Sequence, residues 1–89
     1  MKQIAIFTLN GCSHCHELKN KLNNENIIFH DIEITKNREI WENIKLQTGE
    51  DILPTVFIQT DSDGNGLVYI PGRDFQDLDE IVQIIKNNI

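Results

Sequence analysis

The chain has 89 residues, and its 39% hydrophobic and 25% charged residues are typical of one globular domain, expected to span residues 1–89. Eight Lys and Arg residues stand against fourteen Asp and Glu residues, which gives a formal net charge of -6. A general binder of nucleic-acid backbones needs a basic face, and so does a protein that binds anionic membranes, so neither partner is expected.

The first half of the chain alternates between strand and helix patterns. Residues 3–8 contain an unbroken apolar run, which predicts a buried strand. After the second cysteine, apolar residues recur at helical spacing and predict an amphipathic helix that ends near residues 23–24. Residues 27–34 are apolar and rich in β-branched side chains, which predicts a second strand. A helix over residues 36–47 should follow, capped by Thr35. Its predicted inward side chains are Ile40, Ile44 and Trp41.

The second half predicts two more strands and a last helix. Pro54 precedes the β-branched run of residues 55–59. Turn-forming residues fill 61–66, and the apolar residues 67–70 complete the pattern of a hairpin. Residues 71–72, Pro and Gly, end that strand, and helical spacing resumes after them. This last spacing is carried by Phe75, Leu78, Ile81, Val82 and Ile85. The order βαβ, α, ββα predicts an α/β fold in which three helices flank a four-stranded mixed sheet.

The segment from Asp61 to Gly66 copies the start of an EF-hand calcium loop. The twelfth position of such a loop would be Gly72 instead of the bidentate Glu that calcium requires, and helices do not flank the segment. We therefore interpret it as a hairpin turn.

Cys12 and Cys15 are the two cysteines of the chain. A disulfide between residues three positions apart closes a very small loop and adds little stability. The N-terminal apolar run ends at Thr8 and is too short for a signal peptide, and no segment reaches the length of a membrane span, so a reducing cytoplasmic location is expected. In that compartment a catalytic or metal-binding pair is favoured over a structural disulfide.

The two cysteines follow a predicted strand and open a predicted helix. At the helix N-terminus, free N–H groups and the helix dipole favour a negative charge, which lowers the pKa of the Cys12 thiol and makes it the expected nucleophile. Cys15 lies one turn later and is the expected resolving thiol. His14, between them, has two open interpretations: a group that tunes the Cys12 pKa, or an exposed side chain without a chemical part.

A dedicated metal site is not expected. Structural zinc sites draw four ligands from two separate clusters, and this chain has one cluster of cysteines and histidines. Neighbouring residues of one helix cannot all converge on one ion.

With these features the chain resembles a glutaredoxin over nearly its whole length, and the resemblance implies a thioredoxin-like fold. The features that carry it are the Cys-Ser-His-Cys motif opening a helix, the parallel strand that follows, Leu53-Pro54 before the third strand, and Ile70-Pro71-Gly72-Arg73-Asp74 before the last helix. The resemblance implies a thiol–disulfide oxidoreductase that reduces protein or glutathione mixed disulfides through the Cys12 and Cys15 dithiol.

The resemblance also assigns a binding site for glutathione, which would be a co-substrate, with no tightly bound cofactor expected. Leu53 would pair with glutathione through its backbone, beside Pro54 at the position of the family's cis-proline. Gly72, Arg73 and Asp74 would bind the γ-glutamyl end at the N-terminus of the last helix. Asp74 is also a plausible cap of that helix.

Two departures from the family pattern affect glutathione binding. Many members carry a Lys three residues before the first cysteine, where this chain has Leu9, and Pro71 replaces the first Gly of a Gly-Gly pair. The expected partners are glutathione and disulfide-bearing proteins, with ribonucleotide reductase as one example, and the expected state is a monomer. The alternative is a dimer that holds an iron–sulfur cluster through Cys12 and glutathione.

Overall fold

The computed structural model describes residues 3–89, in which four strands and three helices are formed. The strands are β1 (Ile4–Thr8), β2 (His30–Glu33), β3 (Thr55–Gln59) and β4 (Gly66–Tyr69), and the helices are α1 (Ser13–Asn24), α2 (Arg38–Thr48) and α3 (Leu78–Asn87). None of these helices combines the length and the apolar character needed to cross a membrane.

The strands form one mixed sheet in the order β2-β1-β3-β4. Strands β1 and β2 are parallel and are joined by the crossover helix α1, whereas β3 runs antiparallel to both β1 and β4. This arrangement confirms the predicted four-stranded mixed sheet. The central strands β1 and β3 pair Phe7 with Thr55, so the chain that follows β1 and the chain that precedes β3 lie at the same end of the sheet.

The main core lies between one face of the sheet and the helices α1 and α3, which contact each other. Its buried side chains are Ile4, Ile6, Leu18, Leu22, Ile27, Val56, Ile58, Phe75, Ile81, Val82 and Ile85. Successive residues of a strand point to opposite faces, so Phe7 faces the other side of the sheet. There its ring lies 5.6 Å from the ring of Trp41, which anchors α2.

Strand β2 is shorter than predicted, because residues 27–29 are used in other ways. The backbone N–H of Ile27 donates to the carbonyl of Leu22 at 3.0 Å, and Asn26 takes a left-handed conformation with φ 58°. This turn ends α1 and directs the Ile27 side chain into the core. In this segment Ile27 is buried in the core and Phe29 packs against it, whereas Ile28 is 84% exposed.

Helix α2 starts two residues later than predicted, and its cap is Asn37 instead of Thr35. The Thr35 hydroxyl donates to the carboxylate of Glu33 and so closes the turn after β2. Trp41 is the buried residue of the helix, while Ile40 is 47% exposed, which corrects the prediction that Ile40 points inward. The contact between Trp41 and Phe7 on the sheet, and not the helical spacing alone, determines which side chain of α2 is buried.

The hairpin between β3 and β4 confirms the interpretation of residues 61–66 as a turn. The Asp61 carboxylate accepts the backbone N–H groups of Asp63 at 2.9 Å and Asn65 at 3.1 Å, and the Asn65 side chain at 3.1 Å. These hydrogen bonds lower the pKa of Asp61, and the bond from the Asn65 side chain has the largest effect. Its oxygens therefore serve the turn itself.

Helix α3 begins at Leu78, later than predicted. Its cap is Asp77, whose carboxylate accepts the backbone N–H of Glu80 at 2.8 Å, while the Glu80 carboxylate accepts the N–H of Gln76 at 2.9 Å. Phe75, which was expected inside the helix, precedes it but is still buried in the core. Residues 72–74 therefore do not lie at the N-terminus of this helix, and Asp74 is not its cap.

Candidate functional site

The two cysteines lie where β1 passes into α1. Gly11 has φ 92°, a conformation that glycine adopts without strain, and the N–H of Cys12 donates to the carbonyl of Leu9 at 3.0 Å. This tight turn places Cys12 at the N-cap of α1. The Cys12 Sγ accepts the backbone N–H of Cys15 at 3.2 Å. A helix N-terminus therefore donates directly to the sulfur, as the sequence predicted.

Cys12 and Cys15 are joined in a disulfide, with their Cα atoms 5.2 Å apart. The pair is thus present in the oxidised form of the predicted dithiol. Its two members differ in accessibility, since Cys12 is half-buried and Cys15 is only 1% exposed. An incoming thiol or disulfide can reach Cys12 and has no comparable access to Cys15.

A groove of about 380 Å³ lies beside the cysteine pair, walled by the start of α1, the loop before β3 and the segment before α3. Its lining residues are His14, Glu17, Ile52, Leu53, Pro54, Pro71, Phe75, Gln76, Asp77 and Leu78. His14 is exposed, so one of the two residues between the cysteines lines this groove.

Leu53 and Pro54 occupy the position that the sequence predicted for them. The Leu53–Pro54 peptide bond is cis, which confirms the expected isomer, and Pro54 is buried. The hydroxyl of Thr55 donates to the carbonyl of Ile52 at 2.6 Å and closes the turn that presents these residues. Because β3 begins next to the end of β1, this turn stands beside the cysteines and forms one wall of the groove.

Gly72, Arg73 and Asp74 form a separate turn that does not line the groove. The Asp74 carboxylate accepts the N–H of Ile70 at 2.8 Å and the Arg73 Nε at 3.0 Å, and Arg73 also pairs with it at 2.9 Å. Gly72 takes φ 84°, and its N–H donates to the carbonyl of Phe75 at 2.8 Å. Arg73 and Asp74 are therefore paired with each other, and the Asp74 carboxylate also hydrogen-bonds within this turn.

A polar cluster between α1 and the sheet was not predicted from the sequence. The buried Thr8 hydroxyl donates to one oxygen of Asp31 at 2.6 Å, and Lys19 donates to the other at 2.9 Å. Burial raises the pKa of Asp31, but the hydrogen bonds from Thr8 and Lys19 outweigh it, and the net pKa is lowered. The cluster links α1 to β1 and β2. No local pattern could have revealed it, because its members are far apart in the chain.

The groove also contains residues that the sequence did not single out. Ile52 carries no recognisable signal, whereas Asp77 stands three residues before Glu80, the spacing of a capping box, which would have marked the true start of α3. Within residues 3–89, no three His, Cys, Asp or Glu side chains are grouped so that they could hold a metal ion.

The site combines a CxxC pair at a helix N-cap with a cis-proline beside it, on a mixed four-stranded sheet. This combination defines a thiol redox protein of the thioredoxin fold. The chain belongs to the glutaredoxin family, whose sequence model matches residues 4–62. A curated relative is the N-acetyl-S-hydroxy-L-cysteine reductase of Bacillus subtilis, 27% identical over 67 residues that cover 75% of this chain and 72% of that protein.

Solved structures share the fold. The glutaredoxin-like protein NrdH-redoxin from Escherichia coli, described as having a thioredoxin-like activity profile, is 28% identical with a TM-score of 0.66, over 92% of this chain and 93% of that one. The thioredoxin Deadhead from Drosophila melanogaster is 14% identical with a TM-score of 0.72, over 99% and 81% of the two chains. The second similarity concerns the fold alone.

Proposed function

We propose that Cys12 is the nucleophile and Cys15 the resolving thiol of a disulfide reductase. The observation that supports this most directly is the N-cap geometry, in which the Cys12 sulfur receives the Cys15 N–H at 3.2 Å. That donor, together with the helix dipole, stabilises a thiolate on the sulfur after reduction. The unequal exposure of the two cysteines supports these roles, because the accessible thiol must attack first.

The reaction proceeds in two exchanges. The Cys12 thiolate attacks one sulfur of the substrate disulfide, that S–S bond breaks, and the leaving thiolate takes a proton from water. Cys15 then loses its proton and attacks the Cys12 sulfur of the mixed disulfide, which releases the second substrate thiol. The substrate gains two electrons and the chain is left with the Cys12–Cys15 disulfide. A thiol reductant from outside returns it to the dithiol.

We propose protein disulfides and glutathione mixed disulfides as substrates in a cytoplasmic setting, with ribonucleotide reductase as one protein partner to test. The groove beside the cysteines supports an extended substrate, since Leu53 and Pro54 form one wall of it. The relative from Bacillus subtilis is named for reduction of an S-hydroxy cysteine, and a thiolate at Cys12 is suited to the same attack on sulfur.

Glutathione as co-substrate is the more specific part of this proposal. Its support is the family and the Leu53–Pro54 wall, where the backbone of an added peptide can pair. Two features act against tight binding: Leu9 stands where many members have a Lys, and Arg73 is engaged by Asp74. We therefore propose weak use of glutathione compared with a protein dithiol as the electron donor.

Two variants test the chemistry. Cys12→Ser should reduce neither insulin disulfides nor a glutathione mixed disulfide, because no accessible nucleophile remains. Cys15→Ser should keep part of the reduction of the glutathione mixed disulfide and lose the reduction of insulin. Wild-type rates for Cys12→Ser would refute the proposal. Parallel assays coupled to glutathione reductase and to a thioredoxin reductase identify the donor.

The iron–sulfur alternative makes a different prediction for the purified protein. A cluster held between two chains would give a brown, dimeric protein with visible absorbance. The proposed reductase is colourless and monomeric. An absorbance spectrum combined with size-exclusion chromatography of anaerobically purified protein decides between them.

A further inference from the structure

The groove beside the cysteines carries a surplus of negative charge on the wall formed by α1 and the start of α3. Glu17 and Asp77 both line the groove, and both are exposed. Asp79 and Glu80 follow Asp77 in the first turn of α3. Glu17 and Asp77 line the same groove as His14, which lies between the two cysteines in the chain.

The nearby cation does not cancel this surplus. Lys21 lies one helical turn after Glu17, and its ammonium pairs with Asp79 at 2.9 Å. The pKa of Lys21 is raised by the hydrogen bond and the charge of Asp79, and further by the charges of Glu17 and Asp77, so all three carboxylates act on the one ammonium. No Lys or Arg is among the residues that line the groove.

Other lining residues of the groove are apolar. Ile52 is 43% exposed, and Leu53, Pro54 and Pro71 continue the same surface. A substrate segment in this groove therefore meets both aliphatic side chains and carboxylates. An aliphatic stem that ends in a positive charge matches both, and that is the chemistry of Lys and Arg side chains.

We infer that the groove selects disulfide-bearing polypeptide segments in which a basic residue flanks the reactive cysteine. The inference rests on the proposed reductase function and concerns its substrate class, with Glu17 and Asp77 as the specificity-determining residues. A Lys or Arg next to the substrate cysteine extends along the groove past His14 and approaches these carboxylates. An acidic flank in the same place meets like charges and is disfavoured.

The test uses three symmetric disulfides of a blocked pentapeptide, in which the central cysteine is flanked on both sides by Lys, Gln or Glu. Dithiothreitol serves as the reductant of the chain. Each rate is divided by the rate at which dithiothreitol alone reduces the same peptide, which removes the intrinsic reactivity of the disulfide. The expected order of kcat/KM is Lys above Gln above Glu.

Neutralising the carboxylates should weaken this preference. Glu17→Gln and Asp77→Asn should each lower the ratio of the Lys rate to the Glu rate by about two- to fivefold, the size expected for exposed charge pairs. Asn keeps the capping ability of position 77, so α3 is retained. Glu39→Gln, in the first turn of α2 and outside the groove, is the matched control and should leave the ratio unchanged.

Salt provides a measurement that needs no variant. At about 1 M salt the screening length falls to roughly 3 Å, so the preference for the Lys peptide should largely disappear. Equal reduction of the three peptides at low salt, or an unchanged ratio in both groove variants, would overturn the inference and leave the reductase function intact. Failure to reduce any of the peptides would instead overturn the proposed function, and this inference with it.

Discussion

The Thr8 hydroxyl offers a sharp test of how much the polar cluster stabilises the fold. Thr8 is 2% exposed and donates to Asp31 at 2.6 Å, so Thr8→Val removes one hydrogen bond to a charged group and nearly preserves the shape of the side chain. Such a bond contributes about 1.5–3 kcal/mol. Asp31 is 42% exposed, and water replaces part of what is lost. We therefore expect the free energy of unfolding to fall by about 1–2 kcal/mol at pH 7.

The cost of Thr8→Val should depend on pH in a defined direction. The pKa of Asp31 in the folded chain is lowered below its ordinary value, which is about 3.9 in the unfolded chain. A carboxylate of this kind contributes its stability above the unfolded pKa and loses it as the pH falls through the folded pKa. The difference between the parent and Thr8→Val should therefore begin to shrink below about pH 5 and should continue to shrink as the pH falls through the lowered folded pKa.

Urea unfolding followed by the fluorescence of Trp41, the one tryptophan, measures both quantities. Thr55→Val is the matched control, because Thr55 is 1% exposed and donates at 2.6 Å to a neutral carbonyl, that of Ile52. Its cost should not follow the titration of Asp31. An equal loss of stability for Thr8→Val at pH 7 and pH 3, or the same pH dependence in the control, would refute the reasoning.

Three further changes have defined outcomes. In the reduced protein at pH 7, iodoacetamide should alkylate Cys12 at least about tenfold faster than Cys15, as followed by peptide mass spectrometry, because the N-cap favours its thiolate; equal rates would contradict the assigned roles. His14→Tyr should make the disulfide harder to reduce in glutathione redox buffers, by up to about 30 mV; an unchanged equilibrium would mean that His14 has no part in the chemistry. Gly66→Ala should lower the free energy of unfolding by about 1–3 kcal/mol in thermal denaturation, because an added Cβ would collide with the carbonyl oxygen of Ile58; an unchanged melting temperature would show that this contact relaxes freely.

The parts of the site that the sequence predicted are those fixed by local geometry. Because Cys12 and Cys15 follow a strand and open a helix, Cys12 is expected at the helix N-cap. The turn at Gly11 is the only further local feature that this position requires. The position of Leu53 and Pro54 follows from one further step, the pairing of β1 with β3 in the order of elements that the patterns gave. Both inferences need no knowledge of distant side chains.

The parts that failed depend on competition between similar residues. Asp74 and Asp77 are both suitable helix caps. Asp77 becomes the cap because it accepts the N–H of Glu80, while the Glu80 carboxylate accepts the N–H of Gln76 in return. The Asp74 carboxylate instead accepts the N–H of Ile70. The burial of Trp41 in preference to its neighbour on α2 depends on Phe7, thirty-four positions away in the chain, and the bond between Thr8 and Asp31 spans 23 positions. Long-range choices of this kind leave no periodic trace in the sequence.

The groove walls have a consequence for how this protein can diversify. Apart from His14, Glu17 and Leu78, the lining comes from residues 52–54, Pro71 and residues 75–77, which lie outside the helices and strands. Of these residues, Phe75 belongs to the buried core. Exposed connecting segments tolerate substitution better than the elements they join. After gene duplication, daughter copies can therefore acquire different clients through a few changes in these two loops, while the redox pair and the scaffold beneath it stay as they are.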